Sequence, residues 1–287
     1  MASEIVCRGI LLLRNAQVTS RNFLHCRNLS ASSHSPIRRL TTEANAEVEI
    51  EDDSPAEQFV NEYHKYHIPT SLLQKAVLGI GSTAMAFYNQ YRHDMVAVSG
   101  ETTGYFTIPR IKQRMMADPV GRQILTERPR INSRTMDLDY LRSLPLGTFG
   151  KDYIDFMDKC KISPDTRMPV KFIDNIDDAY VIQRYREVHD FCHSLLGMPT
   201  NFKGEVVVKW FEWVQTGLPM CGFAATLAPI KLPMNERIDL TRDYIVWAVK
   251  TALTAKFYMN IYFEKHFEQP LDEFRQEIGI GTPPVLS

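Results

Sequence analysis

The sequence predicts an all-α protein, a single multi-helix domain with a metal site between two antiparallel helices. Three observations carry that expectation. Apolar residues recur every three to four positions in several long segments, which is the helical period. No segment alternates apolar and polar residues in the way a half-buried strand does. One helical segment carries His189-Asp190-Phe191-Cys192-His193, and Glu205 follows after eleven intervening residues.

The 287 residues, 44% of them hydrophobic and with a net charge of −1, suffice for one good-sized core. Charge is unevenly spread. Residues 1–42 hold six arginines, no lysine and one acid, with many Ser, Thr and Asn residues. That is the composition of a mitochondrial transit peptide, with removal expected near Arg39 to Thr42. Residues 43–67 are expected to be an acidic linker or ragged start, and 68–287 the helical metal-binding domain.

Within that domain, Pro69 and Thr70 open a helix through Leu72 to Phe87. Its small residues permit close packing, and it is too short in apolar residues to span a bilayer. Gly100 to Gly104 reads as a turn between helices. An amphipathic helix covers Arg110 to Met116, and Asp118-Pro119 caps a short one. Leu141 to Gly150, with one Pro and two Gly, reads as a loop before a helix over Lys151 to Lys159. It matches neither GxxxxGK[ST] nor GxGxxG, so phosphate binding has little support.

Asp178 to Leu196 is the next helix, stopped by Gly197 and Pro199. A short connection leads to a second helix from Glu205 through Trp213. Gly217 to Ile230 carries no charge; it either packs inside the domain or dips into a membrane surface. Asp239 to Phe267 reads as one long helix, and Leu271 to Ile278 as a last short one ending at Gly279. His93 and His266 are expected on solvated faces. Cys160, Cys192 and Cys221 are scattered and odd in number, which argues against a disulfide frame. Nucleic-acid binding has no support, because there is no basic face.

The chemistry centres on the two histidines. Four residues apart on a helix, they lie one above the other, within the apolar stripe of Ile182, Tyr185 and Leu196. Unpaired polar groups buried there are costly, and a shared metal ion removes the cost. Glu205, opening the second helix level with His193, returns a carboxylate to the same point. Asp190, turned about 100° from His189, either ligates or orients a histidine. The metal-ligand set is therefore His189, Asp190, His193 and Glu205. It suits Zn2+, with Mn2+ or Fe2+ as alternatives. An Asp follows the first histidine, and the general-base Glu of HExxH proteases is missing, which disfavours protease chemistry.

The HDxxH pattern with its later Glu resembles the defining motif of the ubiquinone biosynthesis protein 4 family of the mitochondrial coenzyme Q pathway. The likeness extends from about Ile68 to Pro284. It takes in Gly100-Glu-Thr-Thr-Gly104, Arg128-Pro-Arg130, Leu144-Pro-Leu-Gly-Thr148, Trp247-Ala248, Tyr262-Phe-Glu-Lys265 and Phe274-Arg275 through Pro283-Pro284. The resemblance implies an all-helical protein, peripheral on the matrix side of the mitochondrial inner membrane. It implies work within a complex of coenzyme Q biosynthesis proteins, on polyprenylated benzoate or phenol lipids, with homo-oligomers allowed. The implied reaction is metal-dependent decarboxylation of a 4-hydroxy-3-methoxy-5-polyprenylbenzoate, with or without hydroxylation at the same carbon. Asp190 is the candidate for proton delivery. The competing expectation is a non-catalytic scaffold that binds prenyl lipids around a structural metal. Phosphoester hydrolysis is weaker, since the further His and Asp ligands of HD-type hydrolases are missing.

Overall fold

A computed structural model describes residues 54–89 and 92–284. The arginine-rich leader and residues 43–53 of the acidic stretch lie outside the described residues. Those that are described form helices α1 (Pro55–Tyr66), α2 (Leu72–Tyr88), α3 (His93–Thr103), α4 (Ile108–Met116), α5 (Pro119–Glu127), α6 (Leu138–Ser143) and α7 (Phe149–Cys160). Then come α8 (Ile176–Leu196), α9 (Phe202–Thr216), α10 (Pro219–Leu227), α11 (Met234–Asp239), α12 (Val246–Thr254) and α13 (Leu271–Ile278), with short 3-10 turns between. Among the described residues there is no strand, only an isolated bridge between Thr148 and Pro270.

Helix α8 is the axis of the domain. Asn175 caps it by accepting from the Asp177 and Asp178 amides, and two acids in the first turn suit the helix dipole. Gly197 ends it in the left-handed conformation, φ 61°, and the Met198 amide returns to the His193 carbonyl, closing a Schellman turn. Helices α1, α4, α5, α7 and α9 all pack on α8. It is therefore buried on nearly every side, where the sequence suggests a helix with one polar face. The charges of that face meet partners instead of water. Arg184 pairs with Glu264, Arg186 with Glu101, Glu187 with Arg130 and Asp190 with Arg167. Each pairing offsets the cost of removing a charge from solvent.

Four expectations are corrected. Residues 55–66, expected to be linker, form α1. A capping box joins Ser54 and Glu57, and Phe59 and Tyr63 are buried, the Tyr63 hydroxyl donating to the Asp174 carbonyl at 2.8 Å. Gly100 to Thr103 is the last turn of α3, not a loop; a side chain at Gly100 would meet Met220 at 2.5 Å, so the glycine lets α3 approach α10. The long helix proposed from Asp239 to Phe267 contains a π-helical segment, Leu240–Ile245, and stops at Thr254. Gln215 is the physical reason for that stop: its amide donates to the Ala252 carbonyl at 2.6 Å and accepts from the Tyr258 amide at 3.2 Å, so a side chain replaces helical partners. Finally, His266 is half-buried and stacked on Phe274, with ring centroids 4.5 Å apart.

The loop over 144–148 is pinned to the far end of the chain. Phe149 and Gly150 donate to the Gln269 and Phe267 carbonyls, and Leu271 donates to Gly147. This seats Phe149 among Phe191, Phe263 and Phe274, directly under the HDxxH turn.

Candidate metal centre

Helices α8 and α9 run antiparallel: Glu205, early in α9, faces His193 late in α8, while Glu212, two turns on, faces the earlier His189 and Tyr185. Asn201 caps α9 by accepting from the Gly204 amide at 2.9 Å, which presents Glu205 in the first turn. His189, His193 and Glu205 each offer a ligand atom, all within 4.8 Å of one another. His193 Nε2 lies 3.3 Å from Glu205 Oε1, and His189 Nε2 lies 3.6 Å from Glu205 Oε2. Donors on neighbouring corners of a zinc tetrahedron stand about 3.4 Å apart, given bonds of about 2.0–2.1 Å.

The opposite ring nitrogens decide which lone pairs are free. His193 Nδ1 donates to the Met198 carbonyl at 3.0 Å, the residue placed there by the turn that ends α8. His189 Nδ1 lies 2.7 Å from Glu212 Oε1, an acceptor, and 3.2 Å from Lys209 Nζ, a donor; the shorter contact, to the carboxylate, sets Nδ1 as the donor. Both Nε2 atoms therefore turn their lone pairs toward Glu205, the arrangement in which an outer acceptor fixes the tautomer of a metal-binding histidine. His193 is 1% exposed, and its Nε2 is buried with no hydrogen-bond partner. Two lone pairs and a carboxylate facing one point make a donor set that a divalent metal would fit.

Behind the ligands sits a buried network. Glu212 Oε2 accepts from Lys209 Nζ and from the Tyr185 hydroxyl, each at 2.7 Å, and Cys221 Sγ lies 3.1 Å from that hydroxyl. Burial opposes ionisation of Glu212, but Lys209 and His189 outweigh it and hold the carboxyl down at about 2. Burial and Lys209 push the His189 imidazole down, while Glu212 and Glu205 carry it up to about 9 when a proton is the only cation available. Cys221 is pushed up to about 12 by burial and by Glu212, so it stays a thiol.

Of the four ligands expected, the structure brings together three. Asp190 instead pairs with Arg167, outside the cluster. Burial raises its pKa, but Arg167 and then His189 lower it more, so it stays ionised and held back from the ligand position. Sequence reasoning missed Arg167, Lys209 and Glu212. The last two were discoverable: Glu205, Lys209 and Glu212 stand at i, i+4 and i+7, one face of α9. His93 is exposed as expected, yet lies near enough to Arg167 and Glu205 for both to act on it. Partial burial and Arg167 lower its pKa against an opposing Glu205.

Fold and site together define a helical protein with a two-histidine, one-carboxylate cluster braced by a buried Glu–Lys–Tyr network. The chain belongs to the family described as coenzyme Q (ubiquinone) biosynthesis protein Coq4, which matches residues 63–284. It is 55% identical over 219 residues to the Bos taurus "Ubiquinone biosynthesis protein COQ4 homolog, mitochondrial", covering 76% of this chain and 83% of that one. The Homo sapiens protein of the same name is 54% identical over 222 residues, covering 77% and 84%. A crystal structure of a candidate ubiquinone biosynthesis protein from Nostoc punctiforme superposes with a TM-score of 0.57 at 18% identity. It covers 71% of this chain and 97% of that chain, and shares the fold.

Proposed function

We propose that this protein acts in coenzyme Q biosynthesis in mitochondria as a metal-dependent decarboxylase of a 4-hydroxy-3-methoxy-5-polyprenylbenzoate. It would work at the matrix face of the inner membrane, beside other proteins of that pathway. The observation that carries the reading is the convergence of His189 Nε2, His193 Nε2 and Glu205 on one point, with His193 Nε2 buried and otherwise unpartnered. His189, His193 and Glu205 would hold the ion, Zn2+ by donor type, with Mn2+ or Fe2+ as alternatives. A bound divalent ion supplies Lewis acidity, which stabilises negative charge on a ligand oxygen.

The chain's own residues divide the remaining work. Glu212 orients His189, and the Met198 carbonyl orients His193. Phe156, stacked on His193 at 5.5 Å, shields the cluster on one side. Loss of carbon dioxide breaks the ring–carboxyl bond, leaves the electron pair on the ring carbon and consumes one proton there. Asp190 is held ionised by Arg167 and has no proton of its own to give, so that proton would come from solvent water, with Asp190 at most relaying it.

Three protein ligands favour catalysis over a scaffold with a structural metal, since structural zinc is held by four. The test is turnover of a prenylated hydroxybenzoate by purified protein, followed as carbon dioxide release, with and without chelator. Chelation and His193→Ala should each abolish turnover and leave the protein folded. Full turnover in His193→Ala would refute the catalytic reading. A folded wild type that binds metal and prenylated lipid but never turns over would favour the scaffold.

A further inference from the structure

Helix α2 is built inside out. Its only charge, Lys75, is 3% exposed and points inward, donating to Asp174 at 2.7 Å and to the Thr70 carbonyl. Ser82 and Gly79 are buried too, and Thr83 meets Ser99 on α3 at 2.7 Å. The outward stripe is apolar: Leu73, Val77, Ile80, Ala84 and Phe87 follow the helical repeat. Leu73 is 76% and Ile80 75% exposed. Burying the polar side and exposing the apolar one is the reverse of a water-facing helix.

The outer surface carries no charge from Ser71 to Asn89, a helix of 17 residues, roughly 25 Å long. Helix α10, packed on α2 and α3, extends it with exposed Phe223, Leu227 and Ile230, again without a charge from Gly217 to Ile230. Each end of α2 is marked by a lysine against an aromatic ring. Lys65 lies over Tyr66 just before it, and Lys231 over Phe87 at 4.8 Å, where it also donates to the Phe87 carbonyl.

We infer that the outer face of α2, with the edge of α10, is the surface by which this protein lies on a lipid bilayer, α2 parallel to the membrane plane. Along the outer face, Ser71 and Gln74 satisfy one another in the capping box at one end, and Tyr88 adds a single exposed hydroxyl at the other. A protein partner of comparable area requires about one hydrogen bond per 100–200 Å². Acyl chains require none. Lysine–aromatic pairs at both ends suit the headgroup layer, where a cation and a ring sit together at the water boundary. No described helix is long and apolar enough to cross a membrane, which agrees with contact from one side.

The inference rests on the membrane-side part of the proposed function and names the face responsible. The test is flotation of the purified protein with phosphatidylcholine vesicles, with and without phosphatidylglycerol. Leu73→Glu/Val77→Glu/Ile80→Glu should reduce the vesicle-bound fraction at least about tenfold, and Leu253→Glu on α12 should not. Anionic lipid should strengthen binding through Lys65 and Lys231. Val77→Trp should be quenched by brominated acyl chains, a readout that survives if the triple variant folds poorly. Binding is read without metal or turnover, so His193→Ala should float like wild type, which separates failure here from failure of the catalytic reading. Wild type that does not float, an unquenched Val77→Trp, or a triple variant that floats normally would overturn the assignment. So would a triple variant whose only change is dissociation of a dimer, since the face would then pair two copies.

Discussion

Replacing Glu212 by Gln removes one charge from a side chain that is 0% exposed and leaves its volume intact. Three donors converge on the carboxylate: His189 Nδ1, Lys209 Nζ and the Tyr185 hydroxyl, all at 2.7 Å. An amide has one acceptor end, so its NH2 group must confront at least one of them. If it faces His189, the imidazole has to accept at Nδ1, the proton moves to Nε2, and the lone pair needed for a metal disappears. Loss of such an outer partner weakens metal binding about 10- to 100-fold, or about 1.4–2.8 kcal/mol. Lys209, 14% exposed, loses its counter-ion. Breaking a buried pair costs about 3–5 kcal/mol, and the remaining contacts of Lys209 Nζ, the Tyr185 hydroxyl at 3.0 Å and His189 Nδ1 at 3.2 Å, place the expectation at the lower end.

Two measurements separate these effects: urea unfolding of the metal-free protein, and metal affinity by chelator competition. Adding Lys209→Met to Glu212→Gln removes the stranded ammonium and should restore most of the stability, but not the metal affinity. A Glu212→Gln protein that binds metal within twofold of wild type would refute the tautomer argument. One whose stability moves by less than about 1 kcal/mol would refute the buried-pair argument.

Gly204→Ala should destabilise by about 1–3 kcal/mol, because its Cβ would come 2.0 Å from the Pro199 carbonyl oxygen, a backbone atom that cannot turn aside. The shift should be carried into Glu205, so metal affinity should fall as well; thermal melts with and without metal check both. In metal-free protein the His189 pKa is raised to about 9. Its stabilisation should therefore be complete below about 6.5, fade as pH rises through 9, and amount to about 3 kcal/mol at most. Bound metal should reverse that trend, since protons and metal compete for the same nitrogen. Urea midpoints across pH 6–10, with and without chelator, read the difference.

The helices were legible where local signals set them. The Gly197 stop and the helical period define α8 within two residues. The histidine pair and Glu205 were legible too, because four residues along one helix and a short connection leave few relative placements. Helix α1 was hidden: the acidity that makes residues 43–67 look like linker conceals the Ser54–Glu57 capping box and the buried Phe59 and Tyr63. The break after Thr254 was hidden as well, because Gln215, forty residues upstream, causes it.

What the sequence by itself determined was periodicity, caps and the spacing of three donors, all consequences of neighbours along the chain. Tertiary structure alone decided which charge meets which. It sent Asp190 to Arg167 rather than to the cluster, set Glu212 and Lys209 behind His189, and turned the polar side of α2 inward. Those outcomes depend on which groups share a low-dielectric interior after folding, and that is a property of packed helices rather than of any single one.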